Sequence, residues 1–214
     1  MNGILIFGAA GSGTSTTARA LAERLRYTHI DVDAYSWEET AVPKAGRTPH
    51  ARRVPLLQKA MDSSAGFVMS GSVCGWGDGL IPRFNLAVFV TTPTDVRLDR
   101  LHNREYAQFG ERIFEGGDMH GHFSWFMKYA ESYDTGMPPD RCRKLHEEWI
   151  GQLPCTVLRI DGAAPVEQNL HIIMRTIADA FDYAQWQRNL FADMSLDELV
   201  AEATEYCKKT NDIH

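Results

Sequence analysis

The stretch ILIFGAAGSGTST occupies residues 4–16 and decides the fold. Its first part, Ile4 to Phe7, is an unbroken apolar run that ends at a glycine, as is typical of a strand buried on both faces of a parallel sheet. After the glycines, apolar residues recur with helical spacing at Ala18, Leu21, Ala22 and Leu25. The order of strand, glycine-rich loop and helix predicts an α/β protein whose first loop can approach a ligand closely.

The loop from Gly8 to Ser15 matches the phosphate-binding pattern G-x-x-x-x-G-K-[ST] in all but one position. Glycines permit left-handed turns, and the following helix directs its positive end at the loop. We therefore expect backbone N–H groups to bind the phosphates of a nucleotide, ATP, and the Ser15 hydroxyl to bind Mg²⁺. The residues predicted to bind the nucleotide here are Gly8, Gly11, Ser12, Gly13, Thr14, Ser15 and Thr16.

Thr14 stands where the pattern has a lysine that normally reaches the β- and γ-phosphates. Two interpretations stay open. The chain has six lysines and sixteen arginines, which favours an arginine as the substitute, from residues 34–53 or from a lid. Alternatively, the protein is a catalytically weak or inactive nucleotide-binding regulatory module.

Length and composition restrict the functional class. A chain of 214 residues suits one well-buried α/β domain, and its net charge of −6 disfavours broad nucleic-acid or membrane-surface binding. The four cysteines contain no CxxC pair, no apolar run approaches the roughly 18 residues of a membrane span, and the first residues lack a basic leader. We expect a cytoplasmic protein that binds a nucleotide and a small-molecule acceptor, and the sequence identifies no protein partner.

Further strands are predicted at about 29–33, 67–69, 86–90 and 156–160. Their alternation with helices predicts a five-stranded parallel sheet in a three-layer α/β/α fold. Residues 34–53 and 105–150 interrupt the alternation, and the second segment is predicted to be a lid insertion. We assign the main domain to residues 1–183. Residues 184–214 are predicted to be a C-terminal helical extension, because a capping box lies at 195–198.

From about residue 3 to residue 183 the chain resembles the P-loop kinases, and within them the adenylate kinases and related nucleotide and small-molecule kinases. The lysine-free loop GSGTST, residues 11–16, is similar to that of a bacterial group of adenylate-kinase-like proteins. The resemblance implies a P-loop NTPase fold. It also implies transfer of the γ-phosphoryl group of Mg·ATP to a nucleoside monophosphate or a small hydroxylated metabolite.

The segment His29 to Asp33 is similar to the strand-ending D-x-D of shikimate-type kinases, in which the carboxylates handle Mg²⁺ and the acceptor hydroxyl. Alternate residues of a strand share a face, so Asp31 and Asp33 are expected to act together. Asp33, nearer the strand end, is the candidate for Mg²⁺ binding or for base catalysis. Two solvated or capping aspartates are the alternative.

Residues 96–104 resemble the start of the kinase lid. That resemblance implies that Arg100 lies near the adenine and that Arg104 reaches the phosphates, since the two share one helix face. Arg97 falls off that face and is expected to be solvated. Further candidates for arginines that close on the phosphates are Arg112, Arg141 and Arg143. A solvated charged face is the alternative for residues 141–144.

The acceptor site is assigned by the same resemblance to the end of the third predicted strand. The glycine-rich run 71–79 would form one wall, where Trp76 either stacks on a planar acceptor or packs in the core. Arginines that would fix an anionic acceptor are Arg47, Arg52 and Arg53.

Residues 160–166 are similar to the loop after the last strand of these kinases, which implies adenine contacts from Asp161 and Gly162. An ordinary turn is the alternative there. His120 and His122 stand in a glycine-rich segment with no clear third ligand, which disfavours a metal site. The aromatic cluster Phe123, Trp125, Phe126 and Tyr129 is expected to pack as part of a helix, and the lining of a pocket is the alternative.

Overall fold

A computed structural model of the chain describes residues 2–36, 46, 48–136 and 141–180. It contains five strands, which are β1 (Asn2–Gly8), β2 (Thr28–Asp31), β3 (Gly66–Ser70), β4 (Leu86–Thr91) and β5 (Thr156–Asp161). All neighbouring strands are parallel, in the order β2-β3-β1-β4-β5. The predicted five-stranded parallel sheet is confirmed.

Helices connect the strands as the alternation predicted. They are α1 (Thr14–Leu25), α2 (His50–Asp62), α3 (Thr94–Phe109), α4 (His120–Glu131), α5 (Arg143–Ile150) and α6 (Val166–Ala180). Short 3-10 turns lie at Val32–Tyr35, Asp78–Arg83, Gly110–Ile113 and Ser132–Thr135. The architecture is a three-layer α/β/α P-loop fold. Among the described residues, no helix is both long and apolar enough to cross a membrane.

The apolar run that opens the chain forms the centre of the sheet. In β1, Ile6 lies opposite Ser70 of β3 and Val88 of β4. A strand with neighbours on both edges and helices on both faces must be apolar throughout, which explains the unbroken run. The edge strand β5, in contrast, has a largely half-exposed or exposed pattern. This order places the loop after β1 where chain connections diverge to the two halves of the sheet, a common position for ligand sites in such folds.

The second strand ends two residues earlier than its sequence pattern predicted. The carboxylate of Asp31 accepts a hydrogen bond from the backbone N–H of Asp33 at 3.0 Å, and the chain turns into the 3-10 segment Val32–Tyr35. The expectation that Asp31 and Asp33 share a strand face is therefore wrong. Asp31 caps a turn, as aspartates commonly do, and Asp33 projects from that turn.

Most of the predicted lid is helical. Within residues 105–150, the structure describes the end of α3, the helices α4 and α5, and two 3-10 turns. His120 and His122 belong to the first turn of α4, so their assignment to a glycine-rich loop is wrong.

The chain divides into two compact units, Met1–Thr176 and Ile177–His214. The predicted helical extension at 184–214 lies outside the described residues. Every site described below lies in the first unit.

Candidate active site

Two cavities open at the carboxyl end of the sheet. The larger, of about 1580 Å³, is lined by the phosphate loop and by residues of α1, α3 and α4. The smaller, of about 290 Å³, is lined by residues of α2 and by the segment after β3. Four residues line both cavities: Asp33, Ser36, Tyr129 and Arg141. The two cavities therefore share a boundary.

The phosphate loop presents glycines and helix-start amides to the larger cavity. Gly11 and Gly13 have φ angles of 78° and 95°, in the left-handed region that favours glycine. Because α1 begins at Thr14, the first N–H groups of this helix have no carbonyl partner inside it. Thr14, Ser15 and the exposed Thr16 line the cavity together with both glycines. This arrangement of unpartnered amides is typical of a phosphate site.

Gly8 and Ser12 shape the loop from its buried side. A Cβ at Gly8 would lie 2.4 Å from the carbonyl oxygen of Val90 and 2.9 Å from the Ser12 hydroxyl, so only glycine fits. The Ser12 side chain is fully buried, and its carbonyl accepts a hydrogen bond from the Thr92 hydroxyl at 3.0 Å. Neither Gly8 nor Ser12 lines the larger cavity. Their role in the structure is to hold the loop against β4.

Arg97 is buried, and the expectation that it is solvated is wrong. Only 1% of the residue is exposed, and its guanidinium donates to the carbonyl oxygens of Ala10 at 3.4 Å and Ala130 at 2.9 Å. It also pairs with Asp134 at 2.9 Å. The buried face of α3 consists of Arg97, Leu101, Glu105 and Phe109, each four residues from the next. Arg97 thus links the phosphate loop to the end of α4.

Arg100 and Arg104 both line the larger cavity, on one face of α3. Arg100 donates to the carbonyl oxygen of Gly162 at 2.9 Å and lies beside the loop, since a Cβ at Gly13 would be 3.7 Å from its Nη1. Arg104 pairs at 2.7 Å with the buried carboxylate of Glu105. Arg104 is therefore held at the cavity wall, with just over half of its side chain exposed.

Arg141 lies against the phosphate loop. Its Nη2 donates to the carbonyl oxygen of Gly8 at 3.3 Å, and its buried Nε has no hydrogen-bond partner among the described residues. No carboxylate pairs with it in the part of the chain that the structure describes. The other two lid candidates, Arg112 and Arg143, pair with Asp118 and Asp134 and line neither cavity.

The predicted acceptor residues separate into different environments. Arg53 is buried, donates to the Ser36 hydroxyl at 3.0 Å and lies 4.2 Å from the ring centre of Trp76. His50 stacks on the same indole at 4.8 Å. Arg53 and Trp76 both line the smaller cavity, whereas the exposed Arg52 lines neither. Arg47 lies outside the described residues.

A hydrogen-bonded chain of three side chains backs the smaller cavity, and sequence reasoning missed it. The Ser72 hydroxyl lies 2.8 Å from Nε2 of His146, and the Tyr133 hydroxyl lies 2.8 Å from its Nδ1. His146 is fully buried, and burial, with a smaller contribution from Arg141, lowers the pKa of His146 to about 3. Burial likewise raises the pKa of the Cys74 thiol, beside Ser72, to about 11, so that this thiol stays protonated. No sequence pattern indicates this hydrogen-bonded group, because Ser72 and Tyr133 lie 74 and 13 residues from His146 in the sequence.

Helix α4 presents an aromatic face to the larger cavity. The lining residues are His122, Trp125, Phe126 and Tyr129, at the spacing of one helix face. Trp125 is 55% exposed and stacks on Tyr129 at 5.3 Å. The expectation of helix packing is confirmed for Phe123, which packs against Phe109, Ile113 and Met119, and is wrong for Trp125.

The loop after β5 contributes backbone to the larger cavity. Gly162 lines it, and a Cβ there would lie 2.1 Å from the carbonyl oxygen of Ser12, so this position requires glycine. The Asp161 carboxylate accepts from the N–H of Ala163 at 2.8 Å and lines neither cavity. Asp161 therefore stabilises the turn that brings Gly162 next to the phosphate loop.

Comparisons with known proteins agree with this geometry. A family model described as AAA domain matches residues 4–120. The uncharacterized protein YqaC of Bacillus subtilis (strain 168) is 38% identical over 171 residues, which is 80% of this chain and 94% of that protein. A cytidylate kinase of Haloarcula marismortui is 30% identical over 145 residues, or 61% of this chain and 72% of that enzyme.

A solved shikimate kinase from Bacteroides thetaiotaomicron shares the fold, with a TM-score of 0.52 and 16% identity over 82% of this chain and 97% of that one. The family match and the cytidylate kinase match support a nucleotide-binding, kinase-type function. The chain belongs to the AAA domain family of P-loop NTPases and, within these, to the P-loop kinase group.

Proposed function

We propose that this protein transfers the γ-phosphoryl group of ATP to a small acceptor, either a nucleoside monophosphate or a hydroxylated metabolite. The observation that carries the proposal is the boundary between the two cavities, which Asp33 and Arg141 both line. The larger cavity contains the phosphate loop, and the smaller contains Arg53 and Ser72. A phosphoryl group at the boundary would meet a carboxylate and a cation at once.

The larger cavity fits a nucleotide polyphosphate. Gly13 has no side chain to fill the space above the loop, and the backbone amides of Thr14, Ser15 and Thr16, which precede the first hydrogen bond of α1, carry a partial positive charge. Arg100 and Arg104 add two cations to the same wall. This set consists of donors and positive charges, which is what a polyanion requires.

The side chains that would hold Mg²⁺ are Ser15 and Asp33, which line the same cavity. A hydroxyl and a carboxylate are hard oxygen ligands, and Mg²⁺ in kinases binds few protein groups beside phosphate and water. When bound, the ion would neutralise charge on the β- and γ-phosphates. Asp33 also faces the smaller cavity, so its carboxylate is the candidate to accept the proton of the attacking hydroxyl.

Arg141 is the candidate to replace the lysine that the phosphate-loop pattern has at the position of Thr14. The missing lysine is a point charge on the phosphates, and a planar guanidinium can bind the same oxygens with two parallel hydrogen bonds. Removing one preorganised donor from a transition state typically costs about 100- to 1000-fold in rate. A half-buried arginine that no carboxylate neutralises among the described residues can supply this interaction.

The second candidate function is nucleotide binding without turnover, in a regulatory module. Thr14 favours it, and so does the pairing of Arg104 with Glu105, which reduces the charge available to a phosphate. In such a module, the smaller cavity would serve no chemical step.

The test is ADP release from Mg·ATP by the purified chain, with and without a panel of nucleoside monophosphates and hydroxylated metabolites. We expect one class of acceptor to stimulate release. Ser15→Ala and Asp33→Asn are expected to abolish that stimulation. The matched controls are Ser63→Ala and Asp99→Asn, exposed residues that line neither cavity. Tight ATP binding without turnover for any acceptor would overturn the kinase proposal in favour of the module.

A further inference from the structure

We infer that the buried chain Tyr133–His146–Ser72 fixes the Ser72 hydroxyl as a hydrogen-bond donor to the acceptor, so that the smaller cavity selects an acceptor with an oxyanion, a carboxylate or a phosphate. The inference rests on the proposed function, and it makes Ser72 a specificity-determining residue. His146 and Tyr133 are positioning residues, because neither lines either cavity.

Three separate elements bring the chain together. Ser72 follows β3, Tyr133 lies in the turn Ser132–Thr135, and His146 lies in α5. The imidazole ring contacts Phe7 and Phe89 edge to face, with ring centres 5.4 Å and 5.8 Å away. In this apolar surrounding, each ring nitrogen has a hydroxyl partner at 2.8 Å. A buried polar ring is tolerated because both nitrogens are hydrogen-bonded.

The position of each proton follows from the number of partners. Among the described residues, the hydrogen-bond partner of the Tyr133 hydroxyl is His146. Burial raises the pKa of Tyr133, so the phenol keeps its proton, and leaving that O–H unpaired in the interior would be unfavourable. Tyr133 therefore donates to Nδ1. A neutral imidazole has one N–H, which must then be on Nε2 and donate to Ser72.

Ser72 consequently receives hydrogen bonds from within the protein. Its oxygen accepts from Nε2 of His146 and, at 3.4 Å, from the backbone N–H of Cys74. A hydroxyl has two lone pairs and one hydrogen, so two incoming bonds leave the O–H hydrogen for another partner. Since Ser72 lines the smaller cavity, that partner is a group in the cavity.

The charged groups around the smaller cavity agree with a donating serine. Arg53 and Arg141 are cations, and among the described residues the acid that lines this cavity is Asp33, which also borders the larger one. An acceptor molecule that places its hydroxyl near Asp33 would therefore offer its remaining polar groups to donors. Carboxylate and phosphate oxygens accept several such bonds at once.

The first experiment measures the protons directly and does not depend on turnover. Nitrogen NMR of the ¹⁵N-histidine-labelled chain, with His146→Gln to assign the signal, should show His146 neutral at pH 7 with its proton on Nε2. Tyr133→Phe should shift that signal, because Nδ1 loses its donor. A proton on Nδ1, or an imidazolium at pH 7, would overturn the inference even if the protein is a kinase.

The second experiment measures specificity by kinetics, with gluconate as the charged probe and gluconamide as its uncharged counterpart, because both offer the same hydroxyl groups to the phosphoryl group. For Ser72→Ala, we expect the preference in kcat/KM for the charged member to fall about 10- to 100-fold, with KM for ATP unchanged. Ser72→Thr, which keeps a hydroxyl, should restore the preference. If Ser72→Ala transfers normally and keeps the preference for the charged acceptor, the role of Ser72 is refuted and the proposed function stands. Absence of transfer in the unaltered protein would refute the proposed function. The NMR experiment would still show whether the protons of Tyr133, His146 and Ser72 are arranged as inferred.

Discussion

The guanidinium of Arg141 donates a hydrogen bond to the carbonyl oxygen of Gly8 at 3.3 Å, across 133 residues of sequence. A cation from the predicted lid therefore lies against the first residue of the phosphate loop. The family pattern places its lysine inside the loop itself, at the position of Thr14. We propose that Arg141 supplies the positive charge of that lysine from a different part of the chain.

Arg141→Gln should reduce acceptor-dependent kcat by about 100- to 1000-fold, while the Kd for ATP changes much less. The reason is that the loop amides still hold the ground-state phosphates, whereas the developing charge loses its cation. Steady-state ADP release and calorimetric ATP binding measure the two quantities. Arg143→Gln, two residues away and outside both cavities, is the control, and equal losses in both variants would contradict the role of Arg141.

Arg104→Ala should abolish transfer and spare much of the nucleotide binding. This arginine lines the larger cavity from α3, where its pairing with the buried Glu105 limits its motion. Single-turnover transfer from Mg·ATP, with thermal unfolding to check that the variant is folded, measures the effect. Arg112→Ala, at an arginine that pairs with Asp118 outside the cavities, is expected to keep full activity. Unchanged turnover in Arg104→Ala would remove this residue from the mechanism.

The sequence predicted what depends on local pattern. The apolar run Ile4 to Phe7, the glycines after it and the helix from Thr14 form one continuous segment, whose period and turn residues determine its structure. The strand alternation then restricted the sheet to parallel order. The same local rules placed Arg100 and Arg104 on one face of α3, and both line the larger cavity.

Interactions between distant segments could not be predicted in this way. Arg97 has the same four-residue spacing from Leu101 that an apolar residue would have, but it was expected to be solvated because it falls off the face of Arg100 and Arg104. The carbonyl groups of Ala10 and Ala130 and the carboxylate of Asp134, which converge on it after folding, make its burial favourable. Strand β2 ends at Asp31 because the carboxylate of this residue accepts the backbone N–H of Asp33, which is then not available for pairing between strands.

Arg97→Gln should lower the free energy of unfolding by about 3–5 kcal/mol. The substitution removes a buried partner of Asp134 and leaves carbonyl oxygens of the interior without their donor. Urea unfolding at neutral pH measures the change. Arg159→Gln, at an exposed pair with Glu147, should cost at most about 1 kcal/mol. A loss of the same small size in Arg97→Gln would show that the buried guanidinium contributes no more than a surface ion pair.

The stability of the protein should fall with decreasing pH in a way that depends on His146. Burial lowers the pKa of His146 from 6.5 to about 3, so between these two pH values the unfolded chain binds one proton more than the folded chain. The free energy of unfolding therefore rises with pH over this range, by about 1.4 kcal/mol per pH unit from this group. The contribution is complete above pH 6.5 and is lost as the pH falls toward 3.

His146→Gln keeps a polar, uncharged side chain and removes this titration. The free energy of unfolding of this variant at pH 7 is expected to be lower, because two hydroxyl groups lose the imidazole as their partner. Between pH 4 and pH 6 its free energy of unfolding should rise less steeply with pH, by about 1.4 kcal/mol per pH unit. Urea unfolding across this range gives both numbers. His102→Gln, an exposed residue of α3, should keep the slope of the unaltered protein. An equal slope in the His146 variant would mean that the pKa of this imidazole is the same in the folded and the unfolded chain, and the lowering of this pKa by burial would then be wrong.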